Sequence, residues 1–282
     1  MRTFRQVDVF GSTPLGGNPV AVVHGAGDEA GVSDARMQEF ARWTNLSETA
    51  FLLPPTNDEA DYRLRIFTPT TELPFAGHPT IGSAHAWLEE GGSPRSADRV
   101  VQECGAGLIT LRRSAAPAGE RLAFAAPPLL RCGEVSREDW AAVLAPLRLA
   151  DDEVVEMARV DNGPGWVGVL LPDADAVLAL EPDFASLHHD VGVVGVRDGG
   201  DTACEVRALC PLGSGITEDP VTGSLHAGLA QWLSGSVLPT SYLAAQGTVI
   251  GRTGRVHVER EGDTVWVGGD AQTVVRGVVS IA

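Results

Sequence analysis

The sequence predicts a mixed α/β protein of two similar lobes, and the prediction rests on length, an internal repeat and a pattern of short strands. At 282 residues with 44% hydrophobic side chains, the chain can bury a core in each of two domains of about 140 residues. Sliding the chain over itself by 146 positions lays TELPFAGHPTIGSA, residues 71–84, on TEDPVTGSLHAGLA, residues 217–230, without a gap. Identities fall at Thr71/Thr217, Glu72/Glu218, Pro74/Pro220, Gly77/Gly223, Gly82/Gly228 and Ala84/Ala230. Just upstream, RLRIFTP (63–69) resembles EVRALCP (205–211), with four extra residues after the second copy. A repeat at this spacing reads as a duplicated structural unit.

Strands are expected where β-rich or alternating runs occur: Phe4 to Phe10, Ala50 to Leu53, Tyr62 to Phe67, Leu108 to Arg112 and Thr264 to Val267. A helix is predicted over 34–44, with Ser33 as its N-cap and Met37, Phe40, Ala41 and Thr44 on one face. In each repeat copy a strand ends at a proline, a turn follows, and a Gly-containing segment opens a small-residue helix carrying Trp87 or Trp232. The Pro/Ala/Gly stretch SAAPAGE (114–120) interrupts the strand pattern. The lobes are therefore expected at 1–116 and 117–282, with the terminal strand able to cross between them.

Composition removes several function classes. A net charge of −16 and a pI near 4.7 disfavour nucleic acid, whose binding draws on cationic side chains. All 21 basic residues are arginine, which excludes a lysine Schiff base and a standard P-loop. Cys104, Cys132, Cys204 and Cys210 show no CxxC spacing or regular framework and read as reduced thiols. His24, His85, His188, His189, His226 and His257 show no metal-ligand spacing, so no metal is expected. The segment MRTFRQVDVF lacks an apolar h-region, and no apolar run approaches the roughly 18 residues of a membrane span. The expectation is a cytoplasmic protein with neither membrane nor nucleic-acid partner.

If the halves pack with pseudo-twofold symmetry, two helix N-termini can face one cleft, each offering unpaired N–H groups and a positive dipole end. Such a cleft suits an anion such as a substrate carboxylate. Around the first helix start lie Gly77 and His78; around the second lie Asp219, Thr222, Gly223 and Ser224, with His78 aligned to Ser224. Glycine lets a ligand approach the backbone, while His, Ser and Thr supply hydrogen bonds. Taken alone, Asp219 could cap a helix and His78 could be a structural histidine. Glu48, in NLSETAF between the first helix and a strand, can reach a cleft, and taken alone it could equally be a solvated loop carboxylate. At offset 146 its counterpart is Val194, so the repeat reads as supplying one acid/base carboxylate.

Four segments, FRQVDVFGSTPLGGNPVAVV, NLSETAF around Glu48, ELPFAGHPTIG around His78 and GITEDPVTGS around Asp219, resemble the phenazine-biosynthesis PhzF isomerase family. That family shares its fold with diaminopimelate epimerase and proline racemase. The resemblance covers nearly the whole chain. It implies an α+β, two-lobed diaminopimelate epimerase-like fold, each lobe a curved sheet around a central helix, often in a homodimer and using no cofactor. It implies a dihydro-hydroxyanthranilate as the substrate of the phenazine enzyme, with the glutamate matching Glu48 moving a proton between ring carbons. His78, Asp219 and Ser224 match the remaining polar residues of that site, and Asn18, in GGNP, matches a turn bordering it. The epimerase and racemase relatives use paired cysteines, whereas FAGHP and DPVTGS contain none. In SLHAG the chain departs from the family's small-residue run, placing His226 near the helix start.

The expected activity is thus a cofactor-independent proton shift on a small cyclic amino-carboxylate in secondary metabolism. Glu48, His78 and Asp219 would act in catalysis, and Asn18, Gly77, Gly223 and Ser224 in substrate binding. Isomerisation of another conjugated ring, such as a pyrroline carboxylate antibiotic precursor, and non-catalytic binding on the same fold are the alternatives.

Overall fold

A computed structural model describes residues 1–11, 13–25, 31–116, 119–211 and 217–281. Pro117 and Ala118, within the SAAPAGE stretch, and part of the insertion after the second repeat copy lie outside the described residues. The chain divides into two compact units, Met1–Ala125 with Gly268–Ala282, and Ala126–Val267.

The first unit contains β1 (Arg2–Val9), β2 (Asn18–Val23), α1 (Asp34–Thr44), β3 (Glu48–Leu53), β4 (Tyr62–Phe67), β5 (Glu72–Leu73), α2 (Gly77–Glu89), β6 (Arg99–Cys104), β7 (Gly107–Ala116) and β8 (Gly119–Ala125). β1 ends at Val9 because Phe10 takes a left-handed φ of 66°, which breaks the strand progression. Antiparallel pairing joins β1 to β2, parallel pairing joins β2 to β3, and β3 runs antiparallel to β4. β4 then pairs antiparallel with β5 and parallel with β6. The C-terminal strand, Ala271–Val279, returns to β1, from Arg2↔Val279 to Val9↔Ala271. The expected boundary after Ala116 differs from the observed one because β8 forms a hairpin with β7, Leu111 opposite Phe124, and stays with the first unit.

α1 forms as its caps dictate: Ser33 accepts from the Arg36 N–H, and Asn45 closes the other end in a left-handed conformation. Its Met37 and Ala41 face a core of Val23, Phe51, Phe67 and Ile281. α2 is a different kind of helix, buried from Gly77 through Ala84 and packed against β1, β2, β3, β4, β6 and β8. A Cβ on Gly82 would lie 2.5 Å from Val20 Cγ1, so the repeated glycine lets the helix lie directly on the sheet.

The second unit contains β9 (Arg131–Glu134), α3 (Arg137–Leu147), β10 (Glu156–Asp161), β11 (Val167–Leu171), α4 (Ala174–Ala179), β12 (Val191–Val196), β13 (Cys204–Leu209), β14 (Glu218–Asp219), α5 (Gly223–Leu233), β15 (Ser241–Gln246) and β16 (Gly254–Glu261). Its pairings repeat those of the first unit step for step. β10 and β11 are antiparallel, β11 and β12 parallel, and β12 and β13 antiparallel. β13 takes β14 antiparallel and β15 parallel. α5 packs on β10 and β16, and a Cβ on Gly228 would meet the Val160 carbonyl oxygen at 2.4 Å.

The repeated Glu72 and Glu218 have a common structural task. Arg65 on β4 grips Glu72 with two bonds of 2.7 Å, and Arg207 on β13 grips Glu218 at 3.0 and 2.8 Å. Each bidentate pair pins the short hairpin that leads into the helix start.

Candidate active site

In the first unit three element starts converge. Asn18 opens β2, Glu48 opens β3 and His78 is the second residue of α2. Parallel pairing sets Glu48 opposite Val20, which brings the starts of the two strands close together. Before Asn18 the chain is tightly turned: Gly17 donates its N–H to both carboxylate oxygens of Asp8, at 3.1 and 3.0 Å. A Cβ on Gly17 would fall 2.1 Å from the Val9 carbonyl oxygen. Ahead of Glu48, the Thr44 hydroxyl spans the turn between the Ala41 carbonyl and the Thr49 hydroxyl, at 2.9 and 2.8 Å.

The side chains form a line. Asn18 Nδ2 lies 3.3 Å from His78 Nδ1, and His78 Nε2 lies 3.2 Å from Glu48 Oε2. Burial lowers the His78 pKa to about 3, because an imidazolium there would lose its hydration. The ring is therefore neutral. With the Asn18 amide donating to Nδ1, the single ring proton sits on Nε2, which lies 3.2 Å from Glu48 Oε2 without being aligned for a hydrogen bond to it. The His78 side chain is 5% exposed and that of Glu48 15%, so the carboxylate is the group with access to a ligand. Ala76, the N-cap of α2, offers no side-chain cap; Pro79 has no N–H, and helix geometry leaves the N–H groups of Gly77 and His78 for an outside acceptor.

In the second unit the corresponding helix start is lined differently. Asp219 ends β14 and accepts from the Thr222 hydroxyl at 2.5 Å. Ser224, the second residue of α5, accepts from Trp166 Nε1 at 3.1 Å, and its carbonyl accepts from Asn162 Nδ2 at 2.8 Å. Gln246, buried at the end of β15, binds the Thr222 N–H, the Asp219 carbonyl and the His226 ring. Burial holds His226 neutral by lowering its pKa to about 4, against the opposing bond to Gln246. Sequence reasoning placed His226 near the helix start without a partner, and it missed Asp8, Asn162, Trp166 and Gln246. These arrive from strands and loops remote in sequence, in residue types that carry no motif.

One sequence expectation is corrected by strand register. Offset 146 sets Val194 against Glu48, but Val194 is a buried residue in the middle of β12, opposite Val206. Pairing runs Phe67↔Glu72 and Thr49↔Phe67 in one unit, and Leu209↔Glu218 and Val191↔Leu209 in the other. Thr49 thus corresponds to Val191, and the residue before it, Glu48, to Asp190. The offset drops to 142 because the insertion after the second strand copy shifts everything upstream of it. Burial raises the Asp190 pKa, with the Cys210 thiol donating to it in opposition. A carboxylate therefore stands at this position in both units.

Among the described residues no cluster of three or more His, Cys, Asp or Glu could hold a metal ion, and no helix is long and apolar enough to cross a membrane.

Residues 7–277 match the family model described as phenazine biosynthesis-like protein, PhzC-PhzF. The chain belongs to this family. It is 38% identical to antisense-enhancing sequence 1 of Schizosaccharomyces pombe, covering 98% of this chain and 97% of the relative. It is 34% identical to trans-2,3-dihydro-3-hydroxyanthranilate isomerase of Pseudomonas fluorescens, covering 99% of each. A PhzF-family crystal structure from Enterococcus faecalis superposes with a TM-score of 0.80 at 26% identity, covering 100% of both chains. A probable proline racemase from Agrobacterium radiobacter shares the fold, with a TM-score of 0.63 at 12% identity, covering 100% of this chain and 94% of the racemase. The fold is thus α+β and diaminopimelate epimerase-like. With relatives named isomerases along its whole length, the chain is an isomerase of the PhzF type.

Proposed function

We propose that the protein shifts a proton between two carbons of a small cyclic amino-carboxylate of the dihydro-hydroxyanthranilate type, with Glu48 as the single acid/base group. The observation that carries this reading is the Glu48 carboxylate held 3.2 Å from a neutral His78. A neutral imidazole beside the carboxylate does not neutralise it, which leaves a base free to act. Curated relatives of 34% and 35% identity bear the name of an isomerase acting on that substrate.

In the proposed reaction the Glu48 carboxylate takes a proton from a ring carbon, and the electron pair spreads into the conjugated system. The resulting carboxylic acid then returns the proton to a second carbon, so no electrons or atoms are gained or lost. At the first helix start the N–H groups of Gly77 and His78, with Asn18, are suited to a substrate carboxylate; at the second, the N–H groups of Gly223 and Ser224, with Ser224 Oγ and Asp219, are suited to polar groups of the same kind. General acid–base help of this kind contributes about 10²- to 10⁴-fold, the remainder coming from positioning. The family resemblance further supports a cofactor-independent, cytoplasmic homodimer in secondary metabolism.

The test is incubation with trans-2,3-dihydro-3-hydroxyanthranilate and a panel of other conjugated ring carboxylates in deuterated water, following deuterium uptake by NMR. Wild type is expected to incorporate deuterium and Glu48→Gln to incorporate none. Uptake surviving in Glu48→Gln would refute Glu48 as the base, and a different turned-over ring would reassign the substrate.

A further inference from the structure

Gln246 is buried and uses every hydrogen-bonding position of its amide. Its Oε1 accepts from the Thr222 N–H at 3.0 Å and faces His226 Nε2 at 2.9 Å. Its Nε2 donates to the Asp219 carbonyl at 2.9 Å and to Thr222 Oγ1 at 2.9 Å. These contacts fix each proton in turn. Oε1 can only accept, so neutral His226 carries its proton on Nε2. Thr222 Oγ1 already accepts from Gln246, and its one hydrogen goes to Asp219 Oδ2, 2.5 Å away. That oxygen of Asp219 must be an acceptor, as an ionised carboxylate is.

Among the described residues the first unit has no such arrangement. Leu73 stands where Asp219 stands, and strand register sets Cys104 opposite the place of Gln246, since Tyr62↔Gln102 corresponds to Cys204↔Ala244. At the helix position of His226 sits Thr80, bonded to Gln102 at 3.1 Å. The second helix start has therefore been rewired around a carboxylate that the first lacks.

We infer that His226, Gln246 and Thr222 form a positioning relay that fixes the Asp219 carboxylate in one orientation, with its Oδ2 unprotonated. That Asp219 then acts on substrate rests on the function proposed above; the relay itself does not. Thr222→Val keeps the side-chain shape and removes the hydroxyl, Thr222→Ser restores it, and Gln246→Glu keeps both acceptor contacts while removing both donors.

Crystal structures of the three variants give the first readout. The Asp219 carboxylate is expected to rotate away from residue 222 in Thr222→Val and Gln246→Glu and to stay in place in Thr222→Ser. A carboxylate that stays in place in Thr222→Val overturns the relay, whatever the activity. Turnover of trans-2,3-dihydro-3-hydroxyanthranilate gives the second readout, because losing a hydrogen bond to a charged group costs about 10- to 100-fold in rate. That loss is expected in kcat with KM unchanged, and recovery is expected in Thr222→Ser. A rotated carboxylate with full kcat would support the relay and remove Asp219 from the chemistry, separating failure of the proposed function from failure of this inference.

Discussion

Acidification should destabilise this protein through two particular histidines, and the size of the effect follows from their surroundings. His78 and His226 are buried and neutral, with pKa values lowered from 6.5 to about 3 and about 4. Below pH 6.5 the unfolded chain takes up a proton at each position while the folded chain does not, so unfolding is favoured as pH falls. The sign is that stability rises with pH between the folded values, near 3 and 4, and 6.5, then levels off. Between about pH 7.5 and about pH 5, linkage gives a loss of about 2 kcal/mol for each histidine. Neither figure needs discounting for solvent screening, because both rings are enclosed. The assay is urea unfolding at the two pH values for wild type, His78→Asn, His226→Asn and the double variant. Each single variant should shed about 2 kcal/mol of the pH-dependent loss and the double variant about 4 kcal/mol, whatever the variants cost at neutral pH. If all four proteins lose the same stability on acidification, neither histidine is held neutral by burial, and the argument that Glu48 lies beside a neutral imidazole falls with it.

Two structural expectations follow from the repeat. Gly228→Ala should destabilise by about 3 kcal/mol and Gly82→Ala by about 1 to 2 kcal/mol, because the new methyl meets a backbone carbonyl in the first case and a valine methyl in the second; thermal or urea unfolding would check the order, and equal costs would refute it. Arg207→Met should cost about 3 to 5 kcal/mol, since it strips the partner from Glu218 in a pair whose side chains are 3% and 7% exposed. Arg65→Met should cost about 1 kcal/mol or less, as its partner Glu72 is 43% exposed.

Much of the architecture is legible in the sequence wherever local rules decide the outcome. The helix at 34–44 follows from Ser33 and the spacing of Met37 and Ala41, and it forms at Asp34–Thr44. The strand at Tyr62–Phe67 alternates as written, and the duplicated segment marks both buried helix starts. Expected strand edges elsewhere shift by a few residues; Phe10, for example, leaves its strand because its backbone turns left-handed. Glu48, His78, Asp219 and Ser224 lie near helix and strand ends, where the motifs set them, but their partners are not legible. Trp166 and Asn162 reach Ser224 across more than fifty residues of chain, and no local pattern encodes such a contact. The counterpart of Glu48 was misassigned for a definite reason: a constant offset cannot pass through an insertion. The repeated Arg65–Glu72 and Arg207–Glu218 spacings already differ by that insertion, and they would have reset the register to Asp190.

The two units also show which positions the fold constrains and which it leaves open. Where helix meets sheet, both copies keep glycine, because any side chain would collide with a strand. Where the hairpin must be pinned before the helix, both keep an arginine and a glutamate. At the helix starts themselves, where backbone N–H groups face outward, the copies diverge: His78 against Ser224, Leu73 against Asp219, Thr80 against His226. His78, Thr80, Asp219 and His226 are buried, yet each meets polar partners particular to its own unit, so the copies differ there without unmaking the unit. Glu48 and Asp190 lie between the two cases, with a carboxylate retained at one register position but facing different company. Glu48 meets a neutral imidazole, while Asp190 is buried, which raises its pKa, with the Cys210 thiol and His189 acting the other way. A raised pKa brings a carboxylate nearer the pH at which a general base works, so what separates the two positions is their company, an imidazole beside Glu48 and a thiol beside Asp190. The single-base mechanism proposed above therefore rests on the imidazole beside Glu48, because environment rather than residue type distinguishes the two carboxylates.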